Sequence, residues 1–273
     1  MTLFRTWAAK AAGSALERMD YDPGALQPED VEIAVEYCGV CHSDLAMVDS
    51  EWFAATYPLV PGHEVIGTIV AVGDQAKGRA VGQRVGLGWH SQSCCHCHFC
   101  MGGEQNLCAK RQPTISGRHG GFADRVRAHW GWALPIPAGL DPSSAGPLMC
   151  GGGTAFLPFV IHGIKPTDRV GVVGIGGLGH LAVKFARAWG CEVTAFTSTP
   201  SNRDEALLLG AHHTVSSVDV KALKAIAGTL DFLLVTVGAS LEWDALSGTL
   251  APKGRMHMVG VVTEAMKVRT GGR

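Results

Sequence analysis

No apolar run in this chain reaches membrane-spanning length, and no internal repeat or low-complexity segment is present. Residues 1–18 carry scattered charges and lack the apolar stretch of a secretory signal. Charge is scarce and balanced: Asp, Glu, Lys and Arg make up 17% of the 273 residues, and the formal net charge is −1. That balance offers no electrostatic footprint for nucleic acid or an anionic membrane surface. What remains is a globular composition, 47% hydrophobic and long enough for two domains with cores of their own. Nine cysteines could suggest a disulfide scaffold, but five of them fall between Cys94 and Cys108. Clustering at C-x2-C spacing in a chain this long argues for metal in a reducing cytosol, hence a cytoplasmic protein.

The chain is organised around residues 169–180. A β-branched run at 170–173 reads as a buried strand and breaks into Gly174, Gly176, Gly177 and Gly179. An apolar pattern at Leu181, Phe185 and Trp189 then has helical period and stops at Gly190. Strand, G-x-G-x-x-G turn and helix in that order are what a dinucleotide site requires. Gly174 permits the tight turn, Gly176 lets backbone approach a pyrophosphate, and Gly179 lets helix and strand pack. The helix N-terminus then offers free N–H groups to the anion.

Before this stretch the chain reads as β-rich, with alternation at 31–35, a strand at 65–72, a strand start at 82–85 and glycine turns at short intervals. The pattern suggests a barrel-like antiparallel domain. After about residue 165 strands are expected near 170–173, 192–197, 213–216, 231–237 and 255–261. Helices are expected between them, at 181–189, 203–209, 220–227 and 241–250. Such alternation predicts an α/β domain with a doubly wound parallel sheet. The boundary is expected between 158 and 166.

Two constellations carry metal chemistry. Cys94, Cys97, Cys100 and Cys108 can close a tetrahedral zinc shell with no position left for water, which is a structural site. Cys95 is the spare thiol, and His96 and His98 are disfavoured alternatives to the four cysteines as ligands. The second is dispersed: Cys41, His63 with Glu64, and Cys150. Two thiolates and one imidazole would leave the fourth position open, as catalysis needs. From spacing alone, Cys150 also reads as a core cysteine and His63 as a turn residue.

Taken in order, Gly39-Val-Cys41-His-Ser-Asp44, Pro61-Gly-His63-Glu64, the four-cysteine loop, Gly151 to Thr154 after Cys150, and Gly174-Ile-Gly-Gly-Leu-Gly179 resemble the zinc-dependent medium-chain alcohol dehydrogenases, in their cinnamyl-alcohol-dehydrogenase-like branch. The resemblance extends to about Val262. It implies a GroES-like zinc-binding catalytic domain over 1–160, a Rossmann NADP-binding domain over 161–262 and a tail over 263–273. It implies two Zn2+ per chain, NADP(H), and an alcohol or aldehyde as substrate. Cys41, His63 and Cys150 take the catalytic zinc, with Glu64 beside it as an alternative ligand. Asp44 would accept from His63, Ser43 would move the substrate proton, and His42 would lie near the cofactor phosphates or ribose. Thr154 would touch the nicotinamide, and Gly174, Gly176, Gly177, Leu178 and Gly179 would hold the pyrophosphate. Trp52 and Trp89 fall where the family lines its substrate pocket.

Cofactor choice is argued from residues. An NAD site carries an acid at the end of the second strand, about 20 residues past the glycines. Here residues 195–203 hold no acid but Thr197, Ser198, Thr199 and Arg203. Hydroxyls and a guanidinium accept a 2′-phosphate, so NADP(H) is expected.

Two departures stand out. Ala46 occupies a position where the branch often carries a relay histidine, so an altered pH dependence is expected. Relatives continue beyond residue 273, and a truncated chain is expected to lack the last strand of the cofactor sheet, the return segment and much of the dimer contact. The alternative reading is therefore a catalytically silent product that still binds zinc and nucleotide. Complete ligand sets argue against a zinc-free quinone reductase, and the absence of a basic cluster beside Cys94–Cys108 argues against a DNA-binding zinc module.

Overall fold

In the computed structural model residues 3–52 and 54–268 are described, so residues 269–273 of the expected tail lie outside the described residues. The chain forms two compact units, Met1–Cys150 and Gly151–Arg273.

The first unit opens with an antiparallel hairpin of β1 (Phe4–Ala9) and β2 (Leu16–Tyr21). Its sequence gives no clean alternation, because Thr6 points inward and Trp7 outward. There follow β3 (Asp30–Cys38), α1 (His42–Val48), β4 (Val65–Val72), β5 (Arg84–Leu87), β6 (His90–Gln92), α2 (His98–Met101), β7 (Gln112–Pro113), β8 (Arg125–His129), β9 (Leu134–Pro135) and α3 (Pro142–Ala145). Five of the strands make an antiparallel sheet in the order β8-β3-β4-β5-β9. Val31, Ile33, Val65, Ile69, Val85, Leu87 and Val126 form its fully buried face. Burying each such side chain is worth about 1.5–3 kcal/mol relative to leaving it in water.

The β3–β4 pairing positions the chemistry. Cys38 at the end of β3 sits opposite Val65 at the start of β4. Cys41 follows shortly after the first and His63 shortly precedes the second, so both reach the same end of the sheet. The Gly39 N–H donates to the Glu64 carbonyl at 3.0 Å and ties the two turns together. The short helix before Cys150 packs onto this point, where a Cβ on Gly146 would stand 2.9 Å from the Glu64 carbonyl oxygen.

The second unit runs α4 (Gly151–Ile161), β10 (Arg169–Val173), α5 (Gly177–Trp189), β11 (Glu192–Thr197), α6 (Asn202–Leu208), β12 (His213–Ser216), α7 (Val220–Ala225), β13 (Leu230–Val235), α8 (Trp243–Ser247) and β14 (Leu250–Met258). All five strands are parallel in the order β12-β11-β10-β13-β14, the doubly wound arrangement expected from the alternation. Both faces of the sheet are covered. Val170, Val172, Val193 and Leu234 pack against α4, α5 and α6, while Val173, Phe196, Leu233 and Val235 pack against α7 and α8. That explains why these strands read as unbroken apolar runs rather than alternating ones. The expected helix over 241–250 is shorter, because Leu250 already belongs to the edge strand. Among the described residues no single helix is long and apolar enough to cross a membrane.

Candidate metal centres and nucleotide turn

Cys41 caps α1: its sulfur accepts from the Ser43 N–H at 3.5 Å and lies at the same distance from the Ser43 hydroxyl oxygen. Asp44, in the first turn of α1, is 3% exposed. Its carboxylate accepts from Cys41 N at 3.0 Å, Gly62 N at 2.8 Å and His63 Nδ1 at 2.9 Å. One buried acid thus fixes the Cys41 turn, the His63 turn and the histidine ring. With Nδ1–H given to Asp44, the lone pair of His63 sits on Nε2.

Donor atoms of Cys41, His63, Glu64 and Cys150 all lie within 4.8 Å of one another. The Cys41 and Cys150 sulfurs are 4.0 Å apart. Two thiolates bound at the usual zinc–sulfur length subtend about 3.8 Å around a tetrahedral ion. His63 Nε2 and Glu64 Oε2 are buried with no hydrogen-bond partner. Orphaned buried donors are costly unless something binds them, and these aim into a sulfur-lined cluster, so the donor set fits zinc. The electrostatics agree. The hydrogen bond from Cys150, opposed by burial and helped by His63 and Ser43, pulls Cys41 down to about 3. Cys150 is correspondingly raised, first by that same hydrogen bond, so the pair shares one proton and one negative charge. Burial opposes charge on His63, but the Asp44 hydrogen bond and the neighbouring Cys41 thiolate outweigh this and hold its pKa up at about 9, so a metal bound at Nε2 displaces a proton. Burial, then the Cys41 charge, pushes Glu64 up to about 7.

The Trp89 and His63 rings meet in a T-shaped contact with centroids 5.0 Å apart, and the Trp52 ring centroid lies 6.4 Å from that of Trp89. Nothing in the sequence signalled the Trp89–His63 contact. Ala46 is fully buried on α1, so an imidazole at that position would have to displace its neighbours.

The four-cysteine cluster sits on one loop around α2. Cys94, Cys97, Cys100 and Cys108 converge, with the Cys94 and Cys100 sulfurs 3.9 Å apart. Backbone N–H groups of Cys97 and Lys110 point at the sulfurs of Cys94 and Cys108, each at 3.3 Å. Cys95 is exposed, in the left-handed region at φ 59, and His96 and His98 are not in the cluster.

In the second unit Gly174 has φ 91, and a Cβ on Gly179 would overlap the Gly174 carbonyl oxygen, so only glycine permits this turn. Gly176 and Gly177 face open space and Leu178 is half-buried. The N-cap residue Gly176 supplies no side-chain cap, which leaves the first N–H groups of α5 for an anion. At the end of β11, Thr197 is buried, and its hydroxyl is engaged with the Thr199 backbone. Ser198, Thr199 and Arg203 are exposed. Thr154 is half-buried in α4, and His42 is exposed at the start of α1. The structure also pairs His162 Nε2 with His257 Nδ1 at 2.9 Å, a contact between α4 and β14 that sequence distance conceals.

A cluster of two thiolates and one imidazole, in a chain that also carries a parallel sheet with a glycine-rich turn, defines a metal-dependent, nucleotide-linked oxidoreductase. Residues 27–138 match the family model for the alcohol dehydrogenase GroES-like domain, and residues 177–271 match that for zinc-binding dehydrogenase. The chain is 52% identical over 264 residues to aldehyde reductase AdhA of Synechocystis sp., covering 97% of this chain and 79% of that protein. It superimposes on a cinnamyl alcohol dehydrogenase from Sorghum bicolor with a TM-score of 0.93 and 36% identity, over 98% of this chain and 79% of that one. A CAD from Helicobacter pylori complexed with NADP(H) gives a TM-score of 0.88 at 28% identity, over 96% and 76% of the two chains. The chain belongs to the zinc-binding alcohol dehydrogenase family, in its medium-chain, cinnamyl-alcohol-dehydrogenase-like branch.

Proposed function

We propose that this chain is a zinc-dependent, NADP(H)-linked alcohol dehydrogenase or aldehyde reductase. The observation that carries the reading is the convergence of Cys41, His63 and Cys150 with an unpartnered, buried His63 Nε2. Bound zinc would supply Lewis acidity toward a carbonyl or alcohol oxygen, and the nicotinamide would supply or accept hydride.

The chain's own residues do the rest. Cys41, His63 and Cys150 hold the metal, and Glu64 is the alternative ligand. Asp44 keeps the His63 lone pair on Nε2 by accepting the Nδ1 proton. Ser43 Oγ gives its proton to the substrate oxygen in reduction and takes it back in oxidation. Trp89 and Trp52 wall the substrate side and exclude water. Cys94, Cys97, Cys100 and Cys108 hold the structural zinc. The N–H groups of Gly177 and Leu178 receive the pyrophosphate, and Ser198, Thr199 and Arg203 receive the 2′-phosphate. Thr154 is assigned to the nicotinamide and His42 to the cofactor phosphates. The substrate class is small-molecule alcohols and aldehydes. Cysteines clustered for metal, with no disulfide among the described residues, support a reducing, cytoplasmic setting.

The test is NADPH-dependent reduction of a panel of aromatic and aliphatic aldehydes, with zinc measured on the same sample. Two zinc per chain with NADPH oxidation is expected. Both metals bound without turnover on any aldehyde would overturn the reading. Arg203→Ala should narrow the preference for NADPH over NADH by about tenfold or more, the loss typical of a charge-assisted hydrogen bond.

A further inference from the structure

The corner between β5 and β6 reaches the segments that carry Cys41, His63 and Cys150. At Gly88 a Cβ would stand 2.4 Å from the Met149 carbonyl oxygen, so glycine is what lets the corner close on the residue before Cys150. The next residue is Trp89. It packs against the core formed by Met47, Val48, Leu59 and Ile115, and the first two belong to α1, the helix that Cys41 caps. Its ring meets the His63 ring with the planes at 85°. The backbone is fixed as well. The Thr114 N–H donates to the Trp89 carbonyl at 2.7 Å, and the Thr114 hydroxyl donates to the Gly88 carbonyl at 2.6 Å. Thr114 is 1% exposed, so water does not compete for either bond.

His63 needs such a brace. Asp44 accepts from Nδ1 at 2.9 Å, which fixes one corner of the buried ring. A single hydrogen bond leaves the imidazole free to swing about it, because the terminal torsion of a histidine is broad. Nε2 has no hydrogen-bond partner to stop that swing. A second ring set at right angles does stop it, and aromatic pairs favour that geometry. An unbraced imidazole would carry Nε2 away from the two sulfurs, whereas a ligand set binds well only when held to within about 0.5 Å.

We propose that Trp89 is a positioning residue for the catalytic metal: its indole, keyed into the core of α1, sets the plane of the His63 imidazole so that Nε2 faces the Cys41 and Cys150 sulfurs. The proposal rests on the zinc reading of that cluster. It goes beyond the wall that Trp89 gives the substrate, because it acts with no substrate bound.

The probe is Co2+, titrated into the full chain with zinc in the four-cysteine loop and the dispersed cluster stripped of metal, without cofactor or aldehyde. Its d–d and thiolate charge-transfer bands report affinity and ligand geometry. Trp89→Leu and Trp89→Met keep apolar volume without a ring. Each should weaken cobalt binding about threefold to tenfold, the worth of an edge-to-face ring pair, and shift the d–d bands. Trp89→Phe keeps a ring and should restore most of the affinity and the wild-type spectrum. Trp52→Leu alters the substrate wall alone and should leave both unchanged. Retention of the four-cysteine zinc identifies the folded variants, and either non-aromatic variant suffices. Wild-type affinity and spectrum in a folded Leu or Met variant would overturn the proposal, as would a Phe variant no better than those two. Absence of thiolate–cobalt bands in the wild type would overturn the zinc reading itself, and the proposal with it.

Discussion

Two cysteine-rich clusters lie in the first unit, and they are assembled by different means. Cys94, Cys97, Cys100 and Cys108 come from a single loop, all sulfur, with backbone N–H groups directed at two of the sulfurs. Cys41 and Cys150 are 109 residues apart and meet only because β3, β4 and the turn before Cys150 converge. The dispersed cluster is mixed in chemistry, with an imidazole held by Asp44 and a spare carboxylate in Glu64. A loop that folds around its own ion suits a structural role. A cluster framed by a sheet can keep unpartnered donors in place because the strands pin them.

The contrast is sharpest in substitutions that remove one sulfur from each cluster. Cys41→Ala is expected to lower kcat/KM for aldehyde by about a thousandfold or more, since metal polarisation contributes several kcal/mol. Its thermal midpoint should change little. Cys100→Ala should do the reverse in kind: one zinc lost, a large fall in midpoint, and early proteolysis inside the 94–108 loop, because metal binding there doubles as folding energy. If Cys100→Ala kept its stability, or Cys41→Ala its activity, the division between the clusters would fail.

Asp44→Asn is the next largest test. It keeps the shape but weakens the acceptor for His63, Gly62 and Cys41, and should cost about 10–100-fold in catalytic-zinc affinity or activity. The four-cysteine zinc should be retained, and loss of both metals would mean that Asp44 supports the whole unit.

Acid strips metal from both clusters, so acid sensitivity alone does not tell them apart from the rest of the molecule. His257, in the second unit, isolates the remainder. Burial, then neighbouring His162, lowers its pKa below the ordinary 6.5. A histidine lowered in the fold favours its neutral form there, so its contribution is present above 6.5 and lost as pH falls through the lowered value. His257→Gln should therefore flatten the decline of stability below pH 6.5, read as thermal midpoint against pH in the metal-loaded chain. An unchanged slope would assign acid lability to the clusters.

The smallest effect concerns Cys95, held at φ 59 between two cysteines of the loop. Glycine takes this conformation without Cβ strain, so Cys95→Gly should stabilise the protein by about 0.5–1 kcal/mol. Zinc content should stay at two per chain, and a fall to one would make Cys95 a ligand.

Much of this was legible before any coordinates. The parallel sheet was readable because β10, β11 and β13 are buried on both faces and their apolar runs alternate with helical ones. The four-cysteine loop was readable because its members are close in sequence. The β1–β2 hairpin was not, since Thr6 inward and Trp7 outward spoil the alternation. The bonding of the Thr197 hydroxyl to the Thr199 backbone was not readable either, because residue type alone does not dictate that turn geometry.

Local order along the chain determined the glycine turn, the thiolate loop and the unit types, because those depend on neighbours a few bonds or one helical turn away. Tertiary structure decided that Cys41, His63, Glu64 and Cys150 share one small volume, that a single acid orients the imidazole, and that Trp89 leans on it. Such contacts join residues tens of positions apart. They exist only after the sheet has brought its strand ends together and excluded the water that would otherwise have satisfied each group alone.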